Sequence, residues 1–240
     1  YHRGGGGVSG GTIESAFTMK NYKTNYSIGH PFLLNSKDFI EKQNKEASKD
    51  TFKIKYINSI KSWSAPFVMS IANTRVVRRS VELHELNQSG YGSDFTYKEF
   101  MNVKKYSTAL MVSIGLAILG LMIISPISSL FRKLFTKPGN GPDKKTRDNG
   151  WFESIFIGKN TNNEFYKLRI YGDGDPGYKT TAKFICESAL CLVKSDGYLE
   201  NTNKGGVLTT ATGLGDHLIK RLKNADILFE GPEKIAKTIT

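Results

Sequence analysis

The sequence predicts an α/β (α+β) fold, a mixed sheet with flanking helices, plus one long hydrophobic helix. Three observations lead there. Segments that alternate apolar and polar residues are interspersed with segments whose apolar residues recur every three to four positions. One run, Ser107 to Leu130, holds 24 residues without a single Asp, Glu, Lys, Arg, His, Asn or Gln. Outside that run the chain reads as water-soluble, with 23% charged residues overall. At 240 residues there is room for one large domain or two small ones.

In chain order, residues 4–12 (GGGGVSGGT) read as a glycine loop, after which Thr12 or Ser15 caps a short helix through Phe17 and Met19. A polar helix is expected over 38–46, then a loop over 47–50. Thr51 to Ile57 alternates and reads as a strand. Trp63 to Ser70 reads as a loop ending in a buried segment. Asn73 to Leu86 reads as a helix with Val76, Val77, Val81, Leu83 and Leu86 inward and Asn73 or Thr74 as N-cap. Gly90 to Ser93 is a turn. Pro126 kinks or ends the hydrophobic helix. Trp151 to Ile157 and Phe165 to Tyr171 form a hairpin across GKNTNN. Thr180 to Val193 reads as an amphipathic helix with Phe184, Ile185, Ala189 and Leu190 inward, and Gly215 to Leu222 as a final helix. The resulting division is 1–106 as the first part of one domain, 107–135 as the hydrophobic helix, 136–150 as a Pro/Gly linker, 151–230 completing the domain, and 231–240 as a frayed tail.

As a helix, the apolar run is about 36 Å long against a hydrocarbon core of about 30 Å. The net charge is +12, and Lys104, Lys105, Arg132, Lys133 and Lys137 flank the run, which favours phospholipid headgroups. No recognition-helix, zinc-finger or RNA-binding signature supports a nucleic-acid partner. A single span would put 1–105 and 131–240 on opposite sides of the membrane, although they read as parts of one domain. A hairpin-like or monotopic insertion, or burial against a partner such as a second copy in a homodimer, is therefore expected over crossing. Cys186 and Cys191 read as two buried thiols in a reducing compartment such as the cytoplasm.

Local motifs offer no complete catalytic constellation. GGGVSG (Gly5, Gly7, Gly10) matches the spacing of a dinucleotide loop but lacks a clear preceding strand and a following acidic residue, so a tight cleft loop is the better reading. YGDGDPGY, Tyr171 to Tyr178, lacks the oxygens of a calcium loop and reads as a strand-to-helix turn whose following amides could hold an anion. Arg75, Arg78 and Arg79 share a helix face and are either a carboxylate or phosphate clamp or a solvated basic face. His2, His30, His84 and His217 show no metal spacing.

Five ordered blocks carry a resemblance: VSGGTIES (8–15), APFVMSIANTRVVRRS (65–80), KPGNGPDKKTRDNGWF (137–152), GDGDPGYKTTAKFICESALCL (172–192) and GGVLTTATGLGDHLIKRL (205–222). Together they resemble the C-terminal portion of the saccharopine dehydrogenase-like oxidoreductases, including trans-acting enoyl reductases. The resemblance implies the substrate-side domain of a two-domain Rossmann-type oxidoreductase using NAD(P), with the cofactor held mainly by an N-terminal half absent from this chain. It also implies substrate in the cleft between the halves. Ser9, Gly10, Gly11 and Thr12 would enter that cleft, and Asn73, Arg75, Arg78 and Arg79 would face an acyl or phosphate group. Such a reductase would act on a lipidic or acyl C=C or C=N bond at a membrane, with a lipid droplet or mitochondrion as settings. The alternative is a non-catalytic module docking to membrane or lipid droplet. The sequence assigns no catalytic acid.

Overall fold

The computed structural model describes residues 1–6, 10–19, 29–87, 90–92, 94–132, 139, 141–194 and 206–236. Among them, seven strands form one sheet: β1 (His2–Gly5), β2 (Lys55–Ile57), β3 (Ser62–Pro66), β4 (Phe100–Val103), β5 (Trp151–Lys159), β6 (Phe165–Asp173) and β7 (Leu228–Ile235). Their order is β2-β3-β4-β1-β5-β6-β7. β1 and β4 pair in parallel, and every other pairing is antiparallel. The helices are α1 (Gly10–Met19), α2 (Lys37–Lys42), α3 (Ser70–Leu86), α4 (Tyr106–Ile124), α5 (Ser128–Arg132), α6 (Lys144–Asp148), α7 (Lys179–Lys194) and α8 (Thr210–Asn224).

The mixed α/β architecture agrees with expectation, and the β5–β6 hairpin pairs continuously from Trp151↔Asp173 to Lys159↔Phe165. Several local readings are corrected. The first glycines are not loop: His2–Gly5 is a central strand, with β4 on one side and β5 on the other. Residues from Gly231 to Ile235 are not frayed but extend β7 along β6. Trp63 lies in β3, and the strand expected from Thr51 starts only at Lys55. Thr12 sits inside α1 rather than capping it, and α3 starts at Ser70, upstream of Asn73. Lys144–Asp148, inside the expected linker, forms a turn of helix capped by Asp143, whose side chain accepts from the Thr146 amide. Residues 7–9 of the glycine loop, 133–135 at the end of the expected hydrophobic helix, 136–138 and 140 of the linker and 237–240 of the tail lie outside the described residues.

The buried stripes of α3 and α7 also differ from the apolar ones. On α7 the inward residues are Thr180 and Cys191, with Phe184 half-buried, whereas Ile185 is 68% exposed. Cys186 is exposed, not buried. Five residues along a helix turn about 140°, so the two thiols cannot share its one covered face. On α3 the buried face is Thr74, Arg75, Arg78, Val81 and Glu82, while Val76 and Leu86 are exposed.

The two faces of β5, β6 and β7 have different chemistry, as the two-residue repeat of a strand requires. One carries an ion ladder: Arg3 pairs with Glu153, Arg169 Nε lies 2.6 Å from Glu153 Oε1, and Arg169 Nη1 lies 2.8 Å from Glu230 Oε2. The other face carries Phe152, Ser154, Phe156, Leu168, Ile170 and Phe229 and turns toward α7 and α8. α8 is fixed there by its N-cap. Thr209 and Thr212 form a reciprocal capping box, and Thr209 Oγ1 lies 2.7 Å from Ser80 Oγ on α3.

Candidate functional site

A cavity of about 990 Å³ lies between this apolar sheet face, α8 and the end of α3. Its floor is Phe152, Phe156, Ile170 and Phe229, its roof includes Leu218 and Leu222, and Phe184 closes one side. These residues are only half-buried. An apolar surface of this extent inside a fold is suited to an apolar ligand. Polar groups are few: Ser154 on the floor, and His84, Thr210, Thr212, Asp216 and Lys223 on the α3 and α8 sides.

Ser154, also on the floor, connects the cavity to a buried polar cluster. Its Oγ lies 2.8 Å from His2 Nδ1. The His2 ring stacks on Phe67 and meets the cavity residue Phe156 edge-on. His2 Nε2 is buried without a hydrogen-bond partner and lies 3.7 Å from Glu99 Oε2. Glu99, just before β4, accepts from Asn73 Nδ2 at 2.9 Å and from the Tyr97 hydroxyl at 2.9 Å. Burial raises the Glu99 carboxyl above its ordinary value, against the hydrogen bonds of Asn73 and Tyr97. Burial pushes the His2 ring well below its ordinary value and so favours the neutral form. Among the described residues no group of three or more His, Cys, Asp or Glu is placed to hold a metal ion.

The residues expected at a site from sequence separate. Asn73 joins the polar cluster. Gly10, Gly11 and Thr12 open α1, and Ser9 lies outside the described residues. Arg75 donates to the Gly29 and His30 carbonyls and forms a two-pronged pair with Asp50, at 2.8 Å and 2.7 Å. Arg78 donates to the Pro31, Ser48 and Tyr97 carbonyls. Arg79 pairs with Glu82 at 2.8 Å. None of the three lines the cavity. The amides at the start of α7 are not open to an anion, because buried Asp175 already accepts from Gly177, Tyr178 and Lys179. His2, Glu99 and Ser154 were not singled out as site residues from sequence. They lie on separate strands and an intervening loop, and no spacing rule links them.

With this geometry in place, comparison with known proteins is informative. A relative in Mycobacterium tuberculosis, named as a proposed trans-acting enoyl reductase, is 34% identical over 177 residues. A trans-acting enoyl reductase of Mycobacterium bovis is 31% identical over 175 residues, and one of Mycobacterium ulcerans is 30% identical over 174. The relatives are enoyl reductases by name. The matches cover 70%, 70% and 69% of this chain but 41%, 40% and 40% of the three relatives, so the chain spans about two fifths of their length. No family model matches the chain, and no solved structure does. The similarity to proteins named trans-acting enoyl reductases agrees with that part of the resemblance read from the motif blocks, and no match bears on the wider saccharopine dehydrogenase-like grouping.

Such an activity implies a dinucleotide, and the described part of the glycine loop does not fit one. A Cβ on Gly4 would lie 2.8 Å from the Trp151 carbonyl oxygen, and one on Gly6 would lie 2.7 Å from Asp175 Cβ. These glycines allow close packing against β5 and the turn before α7. They do not leave a cradle for a pyrophosphate.

Proposed function

We propose that this chain is the substrate-side part of an NAD(P)-dependent oxidoreductase that reduces the C=C bond of a lipidic acyl substrate. The observation that carries the reading is the phenylalanine-lined cavity of about 990 Å³ in a chain similar to proteins named enoyl reductases. A volume of that order holds a drug-sized apolar ligand. The rings and aliphatic side chains would bind the acyl chain, and the polar groups on the α3 and α8 sides would meet its head. The nicotinamide carrier would be held mainly by residues outside this chain, in a Rossmann-type half. Its chemistry would be hydride supply.

The reading extends to a membrane or lipid surface facing a reducing compartment, with lipid droplet and mitochondrion as settings. α4 is apolar on all sides and only Ala109 of it is buried, a pattern suited to lipid rather than to water. Lys104 and Lys105 stand at its start. β4 before it and β5 after it belong to the same sheet, on either side of β1. A single crossing would separate them, and among the described residues no second helix is long and apolar enough to return. Monotopic insertion satisfies both constraints.

The test is reduction of a long-chain 2-enoyl thioester by the protein as its gene encodes it, followed by loss of NADH or NADPH absorbance and by mass of the product. Conversion to the saturated acyl is expected. An Ile170→Trp substitution, which fills the cavity, is expected to raise KM at least tenfold for the long chain while leaving a four-carbon substrate little changed. Absence of any carrier-dependent reduction overturns the reading.

A further inference from the structure

The polar cluster contains an unsolved cost. A buried ring nitrogen without a partner loses its hydration with nothing in return, and His2 Nε2 is one. It faces the carboxyl of Glu99 at 3.7 Å, a gap that a small side-chain movement closes. The ring's other nitrogen already touches Ser154, which lines the cavity.

We propose that Glu99, His2 and Ser154 form a proton line that delivers a proton from the sheet interior into the apolar cavity, onto the α carbon of a reduced acyl substrate. This rests on the enoyl-reduction reading. Reduction of a conjugated C=C adds a hydride, supplied by a reduced nicotinamide, at the β carbon and leaves an enolate. The enolate then needs one proton. The Ser154 Oγ–H bond breaks as the Cα–H bond forms. The Nδ1 proton of His2 passes to Ser154 Oγ, and the Glu99 carboxyl proton passes to His2 Nε2. The ring remains neutral overall, and the enolate charge ends on Glu99. The ring is then left with its proton on Nε2, and the cycle closes when that proton returns to Glu99 while one solvent proton reaches Nδ1 through the Ser154 hydroxyl. Two electrons enter the alkene with the hydride, and none move in the proton line.

The surroundings suit this role. Tyr97 and Asn73 each donate to Glu99 and would stabilise the carboxylate that the transfer creates. The titratable side chains facing it are His2 on β1 and Tyr97 in the same loop. With its raised affinity for protons, Glu99 is matched to a donor's task. Ser154 as an acylating nucleophile fits less well. Phe152 and Phe156 flank it on the same face of β5, and the backbone of that strand is committed to its neighbours, leaving no paired amides for an oxyanion.

Two measurements on the whole protein test the line. The first needs no carrier. Infrared titration is expected to show a protonated carboxylic acid persisting above the ordinary carboxylate range and missing from Glu99→Gln. Its equal presence in Glu99→Gln, or its absence from the parent protein, overturns the proposal. The second is reduction of a long-chain 2-enoyl thioester in H₂O and D₂O. Ser154→Ala is expected to lower kcat about 100-fold or more with KM changed less than about threefold and a larger solvent isotope effect, and Ser154→Thr to recover most of the rate. Undiminished kcat in Ser154→Ala, with an active parent, sinks the proton line alone. Labelling of Ser154 by a fluorophosphonate also sinks it, in favour of a nucleophile. An inactive parent removes the enoyl-reduction reading and this proposal with it.

Discussion

Arg75 and Arg78 show how a residue's partners outweigh its position on a helix wheel. Both lie on the buried face of α3, where their guanidinium groups meet backbone carbonyls of the segment 29–48 and the carboxylate of Asp50. A guanidinium offers five donors in a fixed plane, which suits a segment that turns several carbonyls toward one helix face. Glu82, two turns below Arg75, does the complementary task. It accepts from the Asn35 side chain at 2.9 Å and the Ser36 amide at 3.1 Å. Removing Arg75 leaves Asp50 and two carbonyls without their charged partner. Arg75→Ala is therefore expected to cost about 3–5 kcal/mol, read by denaturant unfolding, while Arg79→Ala, with its half-exposed side chain, costs less than about 1 kcal/mol. Equal losses for the two would contradict this division.

At the scale of elements, the ladder across β1, β5, β6 and β7 sets the acid stability of the sheet. Burial pushes the Glu153 carboxyl up, but hydrogen bonds from Arg3 and Arg169, with their charges, more than offset this and leave it below its ordinary value. A carboxylate lowered in the folded state adds stability that is present above the unfolded value and lost as pH falls through the folded one. The melting temperature of the parent protein is expected to fall on acidification below the ordinary carboxylate range, and Glu153→Gln to be less stable at neutral pH with a flatter acid limb. Parallel curves for the two proteins would count against the ladder. α7 and α8 join by a comparable device, since Glu187 and Arg221 meet at 2.7 Å across the two helices.

At the scale of the whole molecule, the sheet does two things at once. It gathers strands from both ends of the chain, so that His2 and Ser154, 152 positions apart, touch in its centre. It also fixes where α4 emerges. Tyr56, Trp63 and Tyr106 meet edge-to-face in succession at the root of that helix, anchoring it to β2 and β3. The exposed residues Met111, Ile114, Ile118 and Leu121 then stand clear of the body. Replacing Ile114 and Ile118 by Glu is expected to move the protein from anionic vesicles to the supernatant in a flotation assay without changing its melting temperature by more than about 2 °C. Retention on the vesicles would remove α4 from the docking surface.

The repeat of hydrophobicity in the sequence was enough to establish the β5–β6 hairpin, the two long helices α3 and α7, and the apolar helix with its break at Ser125–Pro126. Those signals are local, because each depends on neighbours within a strand or a few helical turns. It did not reveal that His2–Gly5 is a central strand, since four residues carry too short a pattern and their glycines point to loop. Nor did it give the buried faces. α3 turns Arg75 and Arg78 inward because a segment 25 or more positions upstream lies over them, and Ile185 faces outward because α8 covers the opposite side of α7. The cavity and the His2–Glu99–Ser154 cluster depend on contacts between distant segments. Composition and periodicity encode which elements form, whereas packing between segments distant in sequence decides which side chains meet.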